Sequence, residues 1–291
     1  MNAPAKINFA SPGRSPDDLD IIVRNRKFGR GTKTRRWWLN GDPVGTAWFN
    51  ALSATFPRGE AFFIESVKAH RDGAPPKLEA EIRAFAKQEI NHTREHIVFN
   101  KLAENAGYDI SFIDQRVEEM LALTKGRPQI LNLAATMALE HFTAMLGQEL
   151  LTHPAHLEGA DGDLGDLWKW HSAEEVEHKG VAYDTWLHAT REWTRFKRWK
   201  VKSLMMLIVT KNFITHRVSD MVELLAQDGI PAGEARRRIA AYLLWKPGFL
   251  RRIVGQWAAY FLPGFHPWNH DDRPLIRKYE SEFPDAVMPA A

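Results

Sequence analysis

WHSAEEVEHKGVAYD, residues 170–184, sets His171, Glu174, Glu175 and His178 almost side by side in a segment of helix-forming residues. At about 100° per residue, His171, Glu174 and His178 fall inside an arc of roughly 60°, and so do His171, Glu175 and His178. Either glutamate can share the histidine face, whereas Glu177 points well away from it. Ala173 and Val176 leave the reverse side for packing. Two imidazoles and a carboxylate on one face are not ordinary core material. The segment therefore reads either as a charged helix surface or as part of a metal site completed elsewhere in the chain.

The same spacing recurs upstream in QEINHTREHIVF (88–99), where Glu89, His92 and His96 again span about 60° of a helix. An E-x-x-H unit thus occurs twice, as Glu89/His92 and Glu175/His178. Between them, ATMALEHFTAML (135–146) embeds Glu140 among apolar residues, a costly place for a carboxylate unless it is paired or bound to a metal. FPRGEAFFIES (56–66) places Glu60 and Glu65 in another Phe-rich segment. One E-x-x-H is a weak signal, because Glu and His are common on helix surfaces. Two, with Glu140 between them, are a strong one.

Di-iron and di-manganese carboxylate bundles take one Glu from each of two helices and an E-x-x-H from each of the other two. Glu60 (or Glu65), Glu89/His92, Glu140 and Glu175/His178 supply that inventory in chain order. Carboxylates can bridge two ions, and mixed nitrogen and oxygen donors suit two irons, with manganese or zinc as alternatives, rather than a closed structural zinc site. The candidate ligands are Glu60, Glu89, His92, His96, Glu140, His171, Glu175 and His178. Glu174 can replace Glu175. His96, His171 and His141 can be ligands, donors that orient carboxylates, or proton relays. Glu60, Glu140 and Glu175 are the candidate catalytic carboxylates.

Around these motifs the pattern is helical throughout, and no convincing strand alternation occurs. Asp42–Pro43 resembles a helix start, Phe56–Pro57 a break, and Gly107 a helix stop. Long helices are expected over 77–105, 129–150, 164–191 and up to 227, and a short one over 231–246. The expected fold is all-α, a core of long antiparallel helices with additional C-terminal helices. Residues 1–38 read as a partly irregular extension whose first 20 lie loose on the surface. Residues 39–192 read as the bundle carrying the dimetal site, and 193–291 as a helical extension packed on it.

The composition excludes several classes of chemistry. With no cysteine among 291 residues, disulfides, thiolate catalysis, iron–sulfur clusters and Cys-ligated zinc are ruled out. The net charge of +3 is too slight to indicate a nucleic-acid partner. No signal-peptide core is seen, and SLMMLIVT (203–210) falls far short of the about 20 residues that span a bilayer. The expected location is cytoplasmic. RFKRWKVK (195–202) followed by SLMMLIV reads first as a solvated face. It also resembles a peripheral membrane or partner-binding helix over 194–210. A homodimer and an electron donor complete the partner expectations.

FPRGEAFF (56–63), the Glu89–His92–His96 helix, LEHFTA (139–144) and WHSAEEVEHKGVAYD resemble a bacterial family described as predicted metal-dependent hydrolases, itself similar to the ferritin-like superfamily. The resemblance covers about 39–184 well and the C-terminal third loosely. It implies a ferritin-like four-helix bundle core in which Glu60, Glu89, His92, Glu140, Glu175 and His178 hold two irons. His96 and His171 depart from the simple ferritin-like pattern. The expected function is a non-haem di-iron oxidase or oxygenase that uses O2 on a small, apolar or aromatic substrate. The alternative is a hydrolase with a dimetal-activated water.

Overall fold

Asp42 starts the helical body as its sequence predicts. Its carboxylate accepts from the backbone N–H groups of Val44 (2.9 Å) and Gly45 (3.1 Å), and Pro43 occupies the first helical position. The structure, a computed structural model, describes residues 15–284. Among them lie eleven α-helices and no strand, only an isolated bridge between Leu39 and Ala160.

The helices run α1 Pro43–Ser53, α2 Phe56–Lys68, α3 Pro76–Asn105, α4 Ser111–Ala122, α5 Gln129–Thr152 and α6 Leu164–His178. α7 Val181–Ala189, α8 Arg195–Gln227, α9 Ala232–Leu244, α10 Phe249–Ala259 and α11 Arg273–Glu282 follow. Four of them make a closed cycle: α2 packs on α3, α3 on α6, α6 on α5, and α5 back on α2. Gly147 is what lets α5 and α6 come so close, since a Cβ there would lie 3.0 Å from the backbone oxygen of Ser172. The four helices that carry the motifs thus pack against one another. α8 lies against α1, α5 and α9, and α10 against α5 and α9.

One expected helix is broken. The segment 164–191 is not continuous but turns at Lys179–Gly180, between α6 and α7. The surroundings explain the break. A Cβ at Gly180 would meet Ser15 Oγ at 2.3 Å and Trp268 at 2.9 Å, so two distant parts of the chain press against this backbone. Glycine, a poor helix former, yields there.

The N-terminal arm also differs from expectation. Its first 14 residues lie outside those described, but from Ser15 onward the arm is bound to the bundle. Ser15 donates to Asp184 (2.6 Å), and Arg24, Phe28 and Trp38 are buried although the segment forms no helix. Side chains rather than a backbone ladder hold it. Ile22, Arg24 and Phe28 donate their backbone N–H groups to the buried carboxylates of Glu177, Glu174 and Glu95. Among the described residues, no helix is long and apolar enough to cross a membrane.

Candidate metal centre

α2 contributes Glu60, α3 Glu89 and His92, α5 Glu140, and α6 Glu175 and His178. None of these six residues is more than 3% exposed. Glu89 and Glu175 lie at the middle, and each turns one oxygen to either histidine. Glu89 Oε2 is 3.6 Å and Glu175 Oε1 3.5 Å from His92 Nδ1. Glu89 Oε1 is 3.2 Å and Glu175 Oε2 3.5 Å from His178 Nε2. Glu60 stands on the His92 side and Glu140 on the His178 side, with Glu140 Oε2 3.3 Å from His178 Nε2. The result is two adjoining pockets of ligand atoms that share two central carboxylates.

The inward atoms lack hydrogen-bond partners. Glu60 Oε1, both oxygens of Glu89 and of Glu140, Glu175 Oε2, His92 Nδ1 and His178 Nε2 are all buried and unsatisfied. Buried polar groups are normally paired, and a concentration of unpaired acceptors around one point is what divalent cations relieve. The residues fit a dimetal carboxylate site.

The groups behind the histidines set their orientation. His92 Nε2 lies 3.0 Å from Glu174 Oε2, and a carboxylate can only accept, so Nε2 carries the hydrogen and Nδ1 faces the centre. Gln88 Nε2 donates to Glu177 (2.7 Å), which leaves Gln88 Oε1 to accept from His178 Nδ1 (2.9 Å) and turns Nε2 inward. One buried arginine from the N-terminal arm joins both supports. The Arg24 guanidinium donates to both oxygens of Glu177 (2.9 and 3.1 Å), while its backbone N–H donates to Glu174 (3.0 Å).

The charges are correspondingly strained. Burial, then the charge of Glu89, pushes Glu60 well above the usual carboxylate range, and burial, then Glu175, raises Glu89. Burial pushes Glu140 up to about 8. Burial alone would raise Glu175 too, but His178, His171 and His92 more than offset it and hold it well below its usual value. His92 and His178 rise well above 6.5 because the carboxylates around them outweigh their burial. In the metal-free protein near pH 7, these histidines and Glu140 therefore hold protons that a cation must displace. We expect metal binding at pH 7 to release protons, with affinity rising about tenfold per pH unit for each proton released, and the contribution of Glu140 ending at about pH 8. Calorimetry in buffers of different ionisation enthalpy measures that release directly, and zero release or net uptake would contradict these protonation states.

Of the remaining sequence candidates, only His171 adjoins the cluster. Both ring nitrogens of His96 are engaged, Nδ1 with Ser53 Oγ (2.8 Å) and Nε2 with His171 Nδ1 (2.7 Å), so neither turns to the centre. His171 sits at the edge, its Nε2 3.0 Å from Glu175 Oε1, grouped with Glu60 and His92. Burial, then His92, pushes it down to about 4. Glu65 is exposed, and His141 faces Tyr260, Phe265 and the backbone oxygen of Gln256. Sequence reasoning missed Arg24, Gln88 and Glu177. Glu177, set aside as pointing away from the histidine face, is buried on the far side of α6 under the N-terminal arm. A second group, Glu149, His153 and His156, is already served by Arg252, which approaches both Glu149 (3.4 Å) and His153 (3.1 Å).

The family model described as "Predicted metal-dependent hydrolase" matches residues 22–271, which include every residue of the cluster. The chain belongs to this family. No curated protein and no solved structure matches it. Family membership and the buried His/Glu groups together mark a metal-binding, metal-dependent enzyme.

Proposed function

We propose that this family member is a ferritin-like dimetal carboxylate enzyme. Glu60, Glu89, His92, Glu140, Glu175 and His178 would hold two ions, with Glu60 and His92 on one side, Glu140 and His178 on the other, and Glu89 and Glu175 between them. We further propose that the ions are iron and that the enzyme oxidises a small apolar substrate with O2. The observation that carries this reading is the burial of all six side chains behind aromatic walls. Trp170 lies 4.9 Å from His92 between ring centres, Phe85 4.9 Å from His178, and Phe56 4.8 Å from His171. Such a centre suits a small diffusible reagent such as O2 better than a polar ester or amide that must arrive with water.

Two ions bound there would supply electrons to O2 or, in a hydrolase, Lewis acidity to a water. The chain's own contribution is positional. Gln88 and Glu174 hold the two imidazoles in the tautomers that present a free nitrogen. Thr93 donates to Glu60 Oε2 (2.8 Å) and leaves Oε1 pointing inward. His171, hydrogen-bonded to His96, contacts Glu175 on the side away from His178 and can hold a proton beside that carboxylate.

The family description favours a second reading, hydrolysis, in which His171 or a carboxylate would serve as the base. One experiment separates the two. The protein is loaded anaerobically with ferrous iron, mixed with O2, and followed by optical and Mössbauer spectroscopy alongside O2 consumption. Iron-dependent O2 uptake at two irons per chain supports oxidation. A protein that retains zinc, hydrolyses ester or amide substrates and shows no iron-dependent O2 uptake establishes the hydrolase instead.

A further inference from the structure

The N-terminal half of α8 turns the wrong kind of surface outward. At about 100° per residue, Lys197, Lys200, Leu204, Leu207, Ile208 and Lys211 fall within an arc of roughly 100°. Met206 and Val209 are buried on the other side. The outward arc of a helix packed on a globular body is normally polar. Here Leu204, Leu207 and Ile208 are 54%, 51% and 45% exposed, and Phe196 at the start of the helix is 69% exposed. The three lysines beside them are exposed as well.

The patch extends beyond α8. Trp257 donates to Thr210 Oγ1 (2.9 Å), and Trp199 to the backbone oxygen of Phe261 (2.8 Å). These bonds bring α10 and the turn after it alongside α8, and Val254 and Leu262, 55% and 42% exposed, continue the apolar surface. The chemistry is one-sided. No Asp or Glu occurs from Trp193 to Ser219 or from Ala235 to His270. An apolar ridge interleaved with lysines and free of acids complements a surface that is apolar beneath and negatively charged above.

We propose that this face of α8 and α10 docks in the plane of an anionic lipid bilayer. Phe196, Leu204, Leu207 and Ile208 enter the boundary between headgroups and acyl chains, while Lys197, Lys200 and Lys211 extend to the phosphates. From Phe196 to Lys211 the helix presents about 22 Å of such edge. A second copy of the chain is the poorer occupant, because a two-fold contact sets this patch against itself and brings the lysines together. A nucleic acid would meet the lysines but leave the apolar ridge uncovered.

Flotation of the full chain with vesicles tests the assignment, comparing phosphatidylcholine alone with phosphatidylcholine containing phosphatidylserine. Binding is expected only to the anionic vesicles and should weaken with added salt. Reversing Lys197, Lys200 and Lys211 together to Glu should weaken it more than about a hundredfold, at roughly fivefold or more per charge. Leu207→Ser with Ile208→Ser should weaken it about tenfold. All these side chains are exposed, so circular dichroism and bound metal should stay unchanged in both variants. Equal binding to neutral vesicles, no binding to anionic ones at low salt, or undiminished binding of either variant overturns the proposal. So does a dimer in light scattering that the serine variant dissociates.

Discussion

Glu140→Gln should make the metal-free protein more stable and the metal-loaded protein less so. Burial lifts the folded-state value of Glu140 from 4.5 to about 8. A carboxyl raised in this way binds its proton more tightly folded than unfolded. Its penalty is therefore absent below about pH 4.5, grows through the interval, and is complete above about pH 8. Glutamine has nearly the same shape and no charge, so at pH 8 the gain in the metal-free protein should be about 4 kcal/mol. With metal present the sign reverses. The lost ligand should lower affinity by more than the roughly 10–100-fold that removal of an outer hydrogen-bond partner costs. Chemical denaturation of wild type and variant at pH 5 and pH 8, with chelator and with excess manganese, reads all four quantities. A metal-free variant no more stable than wild type at pH 8 would show that Glu140 is not an uncompensated charge, and the metal assignment would lose its main physical support.

Arg24→Ala should damage both fold and metal binding, although Arg24 touches none of the six inward-facing residues. Its guanidinium is buried against Glu177, with Glu174 3.6 Å away and Glu280 at 3.0 Å. Removing it leaves Glu174 and Glu177 buried without their cation, at a cost of about 3–5 kcal/mol. The same two carboxylates orient His92 directly and His178 through Gln88. Metal affinity should accordingly fall about 10–100-fold even where the variant remains folded. Arg24→Lys, which keeps the charge but loses the paired donation to Glu177, isolates the second effect. Competition with a chelating dye measures affinity, and the histidine ring signals in NMR report the tautomers. A folded lysine variant with wild-type affinity and unchanged ring signals would reduce Arg24 to a purely structural role.

Much of the centre was legible in the chain because helical periodicity is local. Glu89/His92 and Glu175/His178 share helix faces by spacing alone, and Glu140 betrays itself by its apolar neighbours. Glu60 was separable from Glu65 only once α2 was placed on α3, which buries the first and exposes the second. Glu174 and Glu175 were equivalent on the helical wheel. The structure distinguishes them by what stands opposite: Arg24 and the outer nitrogen of His92 for Glu174, the cluster for Glu175.

The misses share one cause. Arg24 lies in an irregular basic segment with no periodicity to read, and its role exists only because the arm folds across α6. The break at Gly180 likewise depends on Ser15 and Trp268, each more than 80 residues away in sequence. His96 had the right spacing for a ligand, but Ser53 and His171 occupy both its nitrogens.

By itself the sequence determined the all-helical class, the absence of thiol chemistry, and which residue types recur at helical spacing, because backbone periodicity and composition are properties of short segments. Only the tertiary structure decided which oxygens and nitrogens converge unpaired, which carboxylates stand behind the histidines, and that one arginine from the N-terminal arm supports both. Those are long-range facts. Desolvation and hydrogen-bond pairing depend on what packs opposite a side chain, and no local pattern encodes that.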